Sequence, residues 1–193
     1  MEAFLASTAV VALAEIGDKT QLLAILLATR FRRPVPIIGG ILVATLANHF
    51  LAAWIGHSIA GLLNSMAFRY VVAVGFIAMA VWTLVPDKLE DDVRPPTHGG
   101  VFLTTAIAFF ILEMGDKTQI ATIALGAQFG TRMIDLLAVT AGTTLGMMIA
   151  NVPAVYLGEA LIKRAPLGAV RAVAAALFLA LGLWLLASLR GWV

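Results

Sequence analysis

Residues 15–21 read Glu-Ile-Gly-Asp-Lys-Thr-Gln, and residues 113–119 read Glu-Met-Gly-Asp-Lys-Thr-Gln. Six of the seven positions are identical at an offset of 98. Carried on to Phe31 and Phe129, the match gives nine identities in seventeen, among them Ile25/Ile123 and Leu27/Leu125. Further along, Ala47-Asn48 matches Ala150-Asn151, and Phe76…Trp82 matches Phe178…Trp184. The chain therefore reads as two copies of one unit. What surrounds each copy decides what kind of unit it is.

Of the 193 residues, 61% are hydrophobic and only 12% are charged, with a mean hydropathy of +0.98. A soluble domain carries roughly twice that charged fraction, so this chain cannot clothe itself in water and is placed in a lipid bilayer. A nucleic-acid reader, a disordered tail and a disulfide scaffold are excluded; the net charge is +2 and there is no cysteine. The opening Met1-Glu2-Ala3 lacks a basic n-region, so no cleaved signal peptide is expected. Six apolar segments are long enough to cross, near 3–29, 36–61, 67–86, 101–128, 133–160 and 167–189. The expected fold is an all-α membrane protein of six transmembrane helices. Residues 1–86 form a first three-helix repeat, 87–100 an acidic cytoplasmic linker, and 101–193 a second, inverted three-helix repeat. The inversion follows from the odd number of spans per unit, which inserts the second copy upside down.

Orientation follows from Lys and Arg in the short loops. Loops one, three and five carry eight of them: Arg30, Arg32, Arg33, Lys88, Arg94, Lys163, Arg164 and Arg171. The other side carries three, Arg69, Arg132 and Arg190. Both termini are expected on the non-cytoplasmic face, and the acidic linker in the cytoplasm.

Within this frame the charges of the repeated motif fall near the middle of spans one and four. Each such group costs at least about 2.5–3.5 kcal/mol to insert, so six of them require partners, protons or a bound ion. Glu15 and Asp18 are three residues apart and share a helix face, as do Glu113 and Asp116. Two helices crossing about a pseudo-two-fold axis in the membrane plane would turn both pairs into one cavity. Four hard oxygen donors suit a divalent cation such as Ca²⁺, Mn²⁺ or Mg²⁺, and the lack of cysteine removes thiolate routes to zinc or copper. Thr20, Gln21, Thr118 and Gln119 are candidate neutral oxygen donors, as are Asn48 and Asn151 in spans two and five.

The remaining motif residues admit two readings each. Gly17 and Gly115 cost a helix about 1 kcal/mol relative to alanine. They either break the helix and open carbonyls to the cavity, as in transporter sites, or allow close packing. Lys19 and Lys117 stand four residues after Glu15 and Glu113, an ion-pair spacing. They either neutralise those glutamates or repel the cation and help its release. His49 is a candidate for carrying protons or pairing with a carboxylate, although Val152 stands at its counterpart. His57 reads as interfacial, Met114 as packing, Glu159 with Lys163 as a salt bridge at the membrane edge, and Pro153 as a kink. Trp184 and Trp192 read as interfacial anchors.

Emptied of its ion, such a site cannot keep every carboxylate charged in a dry pocket, so cation and protons would displace one another. Alternating access between mirrored halves then yields cation/proton exchange. Three other readings compete. A cation or proton channel needs sites weak enough to leave quickly. An intramembrane metal enzyme would show signatures such as H-E-x-x-H, which are missing. An exporter of a small organic solute would use the same membrane plan without a metal site.

The twin Glu-x-Gly-Asp-Lys-Thr segments at 15–20 and 113–118 resemble the paired E-x-G-D-[KR]-[ST] signature of the small six-span calcium/manganese–proton exchangers. That family has Golgi members in eukaryotes and manganese exporters in bacteria. The resemblance covers essentially the whole chain, and neither segment departs from the signature. It implies that Glu15, Asp18, Glu113 and Asp116 bind the cation and exchange protons, with Thr20 and Thr118 as site neighbours. It implies a transporter, not an enzyme, of Mn²⁺ or Ca²⁺ against H⁺. A bacterial inner-membrane member would export Mn²⁺.

Overall fold

The computed structural model describes residues 1–85, 100–130, 132–158 and 167–191. The stretch 86–99, with most of the acidic linker, lies outside the described residues, as do Glu159, Lys163 and Trp192. Among the described residues the chain is all-helical, and its two halves run through the same succession of elements. The first has α1 (Glu2–Glu15), α2 (Lys19–Phe31), α3 (Pro34–Ile59) and α4 (Met66–Thr83), with a 3-10 turn at Ala60–Asn64. The second has α5 (Gly100–Glu113), α6 (Lys117–Phe129), α7 (Met133–Leu157) and α8 (Leu167–Leu189). The bounds of α5 and α6 are those of α1 and α2 moved by 98 residues, the spacing of the repeated motif.

Among the described residues, four stretches are long and apolar enough to cross a membrane: Pro34–Leu62, Met66–Thr83, Met133–Leu157 and Leu167–Leu189. The first and fourth segments, expected as continuous spans 3–29 and 101–128, are instead broken. Each is two short helices, of 14 and 13 residues in both halves. The break is written in the motif. Gly17 has φ +83° and Gly115 φ +78°, left-handed backbone that an L side chain adopts only with strain. The amide of each glycine is held by a glutamine four residues on: Gly17 N donates to Gln21 Oε1 at 2.8 Å, Gly115 N to Gln119 Oε1 at 2.6 Å. Asp18 and Asp116 then occupy the N-cap positions of α2 and α6, in extended conformation. Of the two roles open to these glycines, breaking the helix is the one observed. Pro153 lies inside α7, which runs on through it to Leu157.

The two halves interlock. α1 packs along α7 and α5 along α3, so each half seats its first helix on the long helix of the other; α6 also lies against α3, and α4 against α8. Glycines set the closeness of these contacts. A Cβ on Gly142 of α7 would lie 2.5 Å from the Phe4 carbonyl oxygen of α1, and one on Gly40 of α3 would lie 2.7 Å from that of Phe102 on α5. Phe4 and Phe102 are themselves 98 apart. Small residues allow such backbone approach between helices in lipid. Gly126 of α6 meets Ala53 of α3 in the same way. His57 Nδ1 hydrogen-bonds the Gly130 carbonyl, tying the end of α3 to the end of α6.

The buried apolar side chains form two clusters. One joins Val10, Phe76, Leu125, Leu136 and Phe178; the other joins Leu23, Leu27, Ile37, Ile41 and Phe109. Outward, Leu46, Phe50, Trp54, Val71, Ile111 and Trp184 are exposed, as a lipid-facing surface requires. Several buried threonine hydroxyls are satisfied within their own helix: those of Thr83, Thr122 and Thr143 donate to the carbonyl one turn back.

Gly115 and Gly126 separate the two uses of glycine. A Cβ on Gly115 meets nothing within 4 Å, so Gly115→Ala carries only the backbone cost of roughly 1–2 kcal/mol, and Gly115→Asn less. A Cβ on Gly126 would lie 2.7 Å from the Ala53 carbonyl oxygen, backbone against backbone. Thermal unfolding of the purified protein is expected to rank Gly126→Ala as the most damaging of the three.

Candidate metal centre

The two breaks bring acidic side chains into the interior. Glu15 is the last residue of α1 and Glu113 the last of α5, and both are fully buried. Each glutamate is held by the threonine of its own motif. Thr20 Oγ1 donates to Glu15 Oε2 at 2.6 Å, and Thr118 Oγ1 donates to Glu113 Oε1 at 2.8 Å. A second donor comes from a long helix of the opposite half. Asn151 Nδ2 on α7 reaches Glu15 Oε2 at 3.4 Å, and His49 Nε2 on α3 stands 3.2 Å from Glu113 Oε1.

These contacts leave one oxygen of each carboxylate over. Glu15 Oε1, Glu113 Oε2 and Asp116 Oδ2 are buried with no hydrogen-bond donor among the described residues, and so are the amide oxygens Asn48 Oδ1 and Asn151 Oδ1. One oxygen from each of Glu15, Glu113 and Asp116 lies within 4.8 Å of the other two. Oxygens on opposite sides of one ion, each at about 2.3–2.6 Å from it, are separated by about that distance. A donor set made only of hard oxygens is the kind that holds Mg²⁺, Ca²⁺ or Mn²⁺. Helix ends reinforce it: Glu15 and Glu113 sit at C-termini, where the partial negative charge of the backbone favours a cation.

The residues singled out by sequence are sorted as follows. Glu15, Glu113 and Asp116 come together, from both copies of the motif. Asp18 is buried but stands outside this trio; its Oδ2 takes the Thr20 amide at 3.3 Å and the Thr20 hydroxyl at 3.4 Å. Thr20 and Thr118 support the glutamates. Gln21 and Gln119, expected as further oxygen donors to the ion, instead hold the glycine amides, which lack a helical acceptor at the break. Gln21 Nε2 also donates to the Ala150 carbonyl at 3.0 Å, one turn before Pro153. Asn48 and Asn151 use their amide nitrogens on Phe110 O at 3.1 Å and Met147 O at 3.1 Å, which leaves their oxygens over.

Lys19 and Lys117 depart from the expected pairing with Glu15 and Glu113. A spacing of four brings two side chains together only along an unbroken helix, and here the helix ends between them. Lys19 Nζ reaches across to Asp116 Oδ1 at 3.2 Å. Lys117 Nζ donates to the Val85 carbonyl at 3.1 Å and lies 5.9 Å from the ring centroid of Trp82. In the sequence Trp82 stands out only as the counterpart of Trp184, with no site signal; only the fold brings it to the motif. Among the two options for His49, the structure shows the carboxylate contact, and its neighbour Asn48 gives no hint of which carboxylate that is.

The sequence profile of the family described as "Divalent cation/proton antiporter GDT1" matches residues 3–91 and 101–191, in two stretches that split as the two halves do. A protein of Vibrio cholerae serotype O1 named "Putative manganese exporter" is 52% identical over 178 residues, covering 92% of this chain and 86% of that one. "GDT1-like protein 4" of rice (Oryza sativa subsp. indica) is 28% identical over 94% of this chain and 72% of its own length. "GDT1-like protein 5" of Arabidopsis thaliana is 25% identical over 66% of this chain and 72% of its own. No solved structure gives a significant match. The chain belongs to the divalent cation/proton antiporter GDT1 family: a membrane transporter, not an enzyme.

Hydrogen bonds to a charged group are worth about 1.5–3 kcal/mol. Thr20→Val and Thr118→Val are each expected to lower stability by that order, and the serine variants to restore most of it. Unfolding of the purified variants in detergent checks this.

Proposed function

We propose that this protein exports Mn²⁺, with Ca²⁺ as a second possible cargo, in exchange for H⁺ by alternating access. The observation that carries the proposal is the cluster of Glu15, Glu113 and Asp116, one member from the first motif and two from the second, with a spare oxygen on each. Three carboxylates so close in a water-poor interior hold either a cation or protons, and each arrival displaces the other. An inwardly directed proton gradient then drives the cation out of the cytoplasm. The oxygen-only donor set admits Mn²⁺ alongside Ca²⁺ and Mg²⁺, and the similarity to the Vibrio protein named a manganese exporter is what favours Mn²⁺ among them.

In this reading each broken pair, α1 with α2 and α5 with α6, crosses the bilayer once, giving six spans as two inverted three-helix repeats. Residues 1–86 and 101–193 are the repeats, and 87–100 link them in the cytoplasm. Broken helices meeting where two halves join are the plan of secondary-transporter sites. The basic residues of loops one, three and five put both termini on the non-cytoplasmic side of a bacterial inner membrane. Asp18 is retained as a ligand of another step in the cycle, since it is the counterpart of Asp116. Asn48 and Asn151 complete the donor set.

The test is uptake into inside-out vesicles, comparing Mn²⁺, Ca²⁺, Mg²⁺ and Zn²⁺ with and without an acid interior. Uphill Mn²⁺ uptake that needs the pH gradient is expected, and Glu15→Gln or Asp116→Asn should abolish it while the protein still inserts. Flux that only ever runs downhill would instead assign a channel, and transport unchanged in both variants would remove the carboxylate cluster from the mechanism.

A further inference from the structure

The two motifs have the same residues from Gly to Gln, yet their side chains are arranged differently. In the first copy Asp18 folds back on its own helix and caps α2 through the Thr20 amide. In the second copy Asp116 makes no such cap. It turns instead to Lys19, which belongs to the other half of the molecule. The lysines differ in step with the aspartates. Lys19 reaches inward to Asp116 from a position about a quarter exposed, whereas Lys117, nearly buried, is engaged with the Val85 carbonyl at the end of α4 and with the Trp82 ring. Local sequence does not account for this difference, because Asp-Lys-Thr-Gln is common to both.

We propose that Lys19 is a tethered counter-ion that holds Asp116 when no metal is bound, and that this contact alternates with a Lys117–Asp18 contact in the opposite-facing state. The inference rests on the exchanger reading above and extends it to residues outside the carboxylate trio. The ammonium of Lys19 lies against one oxygen of Asp116, so a divalent cation drawn to the other oxygen meets a like charge at close range. Metal entry must move Lys19 away, and metal departure lets it return. The emptied site thus keeps a partner for its aspartate, and the ion is not held too tightly to leave. Alternating access moves one inverted repeat against the other around the site, and in this proposal the two repeats exchange conformations as they do so. Lys19 and Asp116 correspond by the offset of 98 to Lys117 and Asp18, so the exchange of conformations moves the contact from the first pair to the second. In this structure Lys117 instead has the Val85 carbonyl and the Trp82 ring among its contacts.

Mn²⁺ binding to the purified full-length protein in lipid nanodiscs tests the counter-ion. Lys19→Gln is expected to bind Mn²⁺ about tenfold or more tightly and to turn over more slowly in vesicles, while Lys19→Arg stays near wild type in both. Affinity unchanged or weakened in Lys19→Gln would overturn the proposal. Wild-type protein that binds no Mn²⁺, or binding that survives Glu113→Gln unaltered, overturns the exchanger reading itself. The alternation is tested separately, since the chain has no native cysteine. The pairs K19C/D116C and K117C/D18C are treated in membranes with a short bifunctional thiol reagent. Cross-linking of both pairs is expected. A first pair that cross-links while the second never does would make Lys19–Asp116 a fixed structural contact and overturn the alternation.

Discussion

Carboxylates at the ends of interrupted helices, deep in an apolar molecule, are the constraint on which the rest of this structure depends. A continuous helix through either motif would satisfy its backbone but would present no helix end there, and Glu15 and Glu113 would not close a helix in the interior. Interrupting it turns both acids inward and presents two helix ends to one place. Nearly every polar contact nearby then has a task. Glutamines take the glycine amides, threonines take one glutamate oxygen each, and Asn151 and His49 arrive from the long helices to steady the carboxylates further. What is left over is one oxygen, unpartnered among the described residues, on each of Glu15, Glu113 and Asp116, three carboxylates that approach one another within 4.8 Å.

The support of that set is symmetric in plan and unequal in detail. Glu15 is steadied by an asparagine and Glu113 by a histidine, although Asn48 and Asn151 are counterparts. Asn48 is occupied with the Phe110 carbonyl, one of the last carbonyls of α5 with no amide of its own helix to accept. The histidine fills the place so vacated. Duplication explains why the same residue types recur on both sides, and His49 against Val152 is one place where the two copies differ in sequence.

Much of this was legible in the sequence. The repeat at an offset of 98 delimited the halves, and the bounds of α1, α2, α5 and α6 follow it residue for residue. Charge in an apolar segment marked Glu15, Glu113 and Asp116, because the insertion cost of such groups demands a reason. The failures have one cause, the assumption of helical spacing across Gly17 and Gly115. Glycine's two uses, left-handed turn and close contact, look alike in a string of letters. Once the helix ends there, a spacing of four no longer joins Lys19 to Glu15, and glutamine becomes part of the turn. Trp82 could not be foreseen beside Lys117, since only the packing of α4 joins them.

The interlocking of α1 with α7 and of α5 with α3 bears on how the molecule is made. A ribosome delivers the first half before the second exists, so Glu15 enters the membrane before Asn151 and Asp116 have been synthesised. Until then the nascent half carries an acid without its companions and an α1 without the α7 surface that Gly142 and Gly146 open to it. The packing of α1 on α7 can therefore be completed only once α7 has been made, late in synthesis.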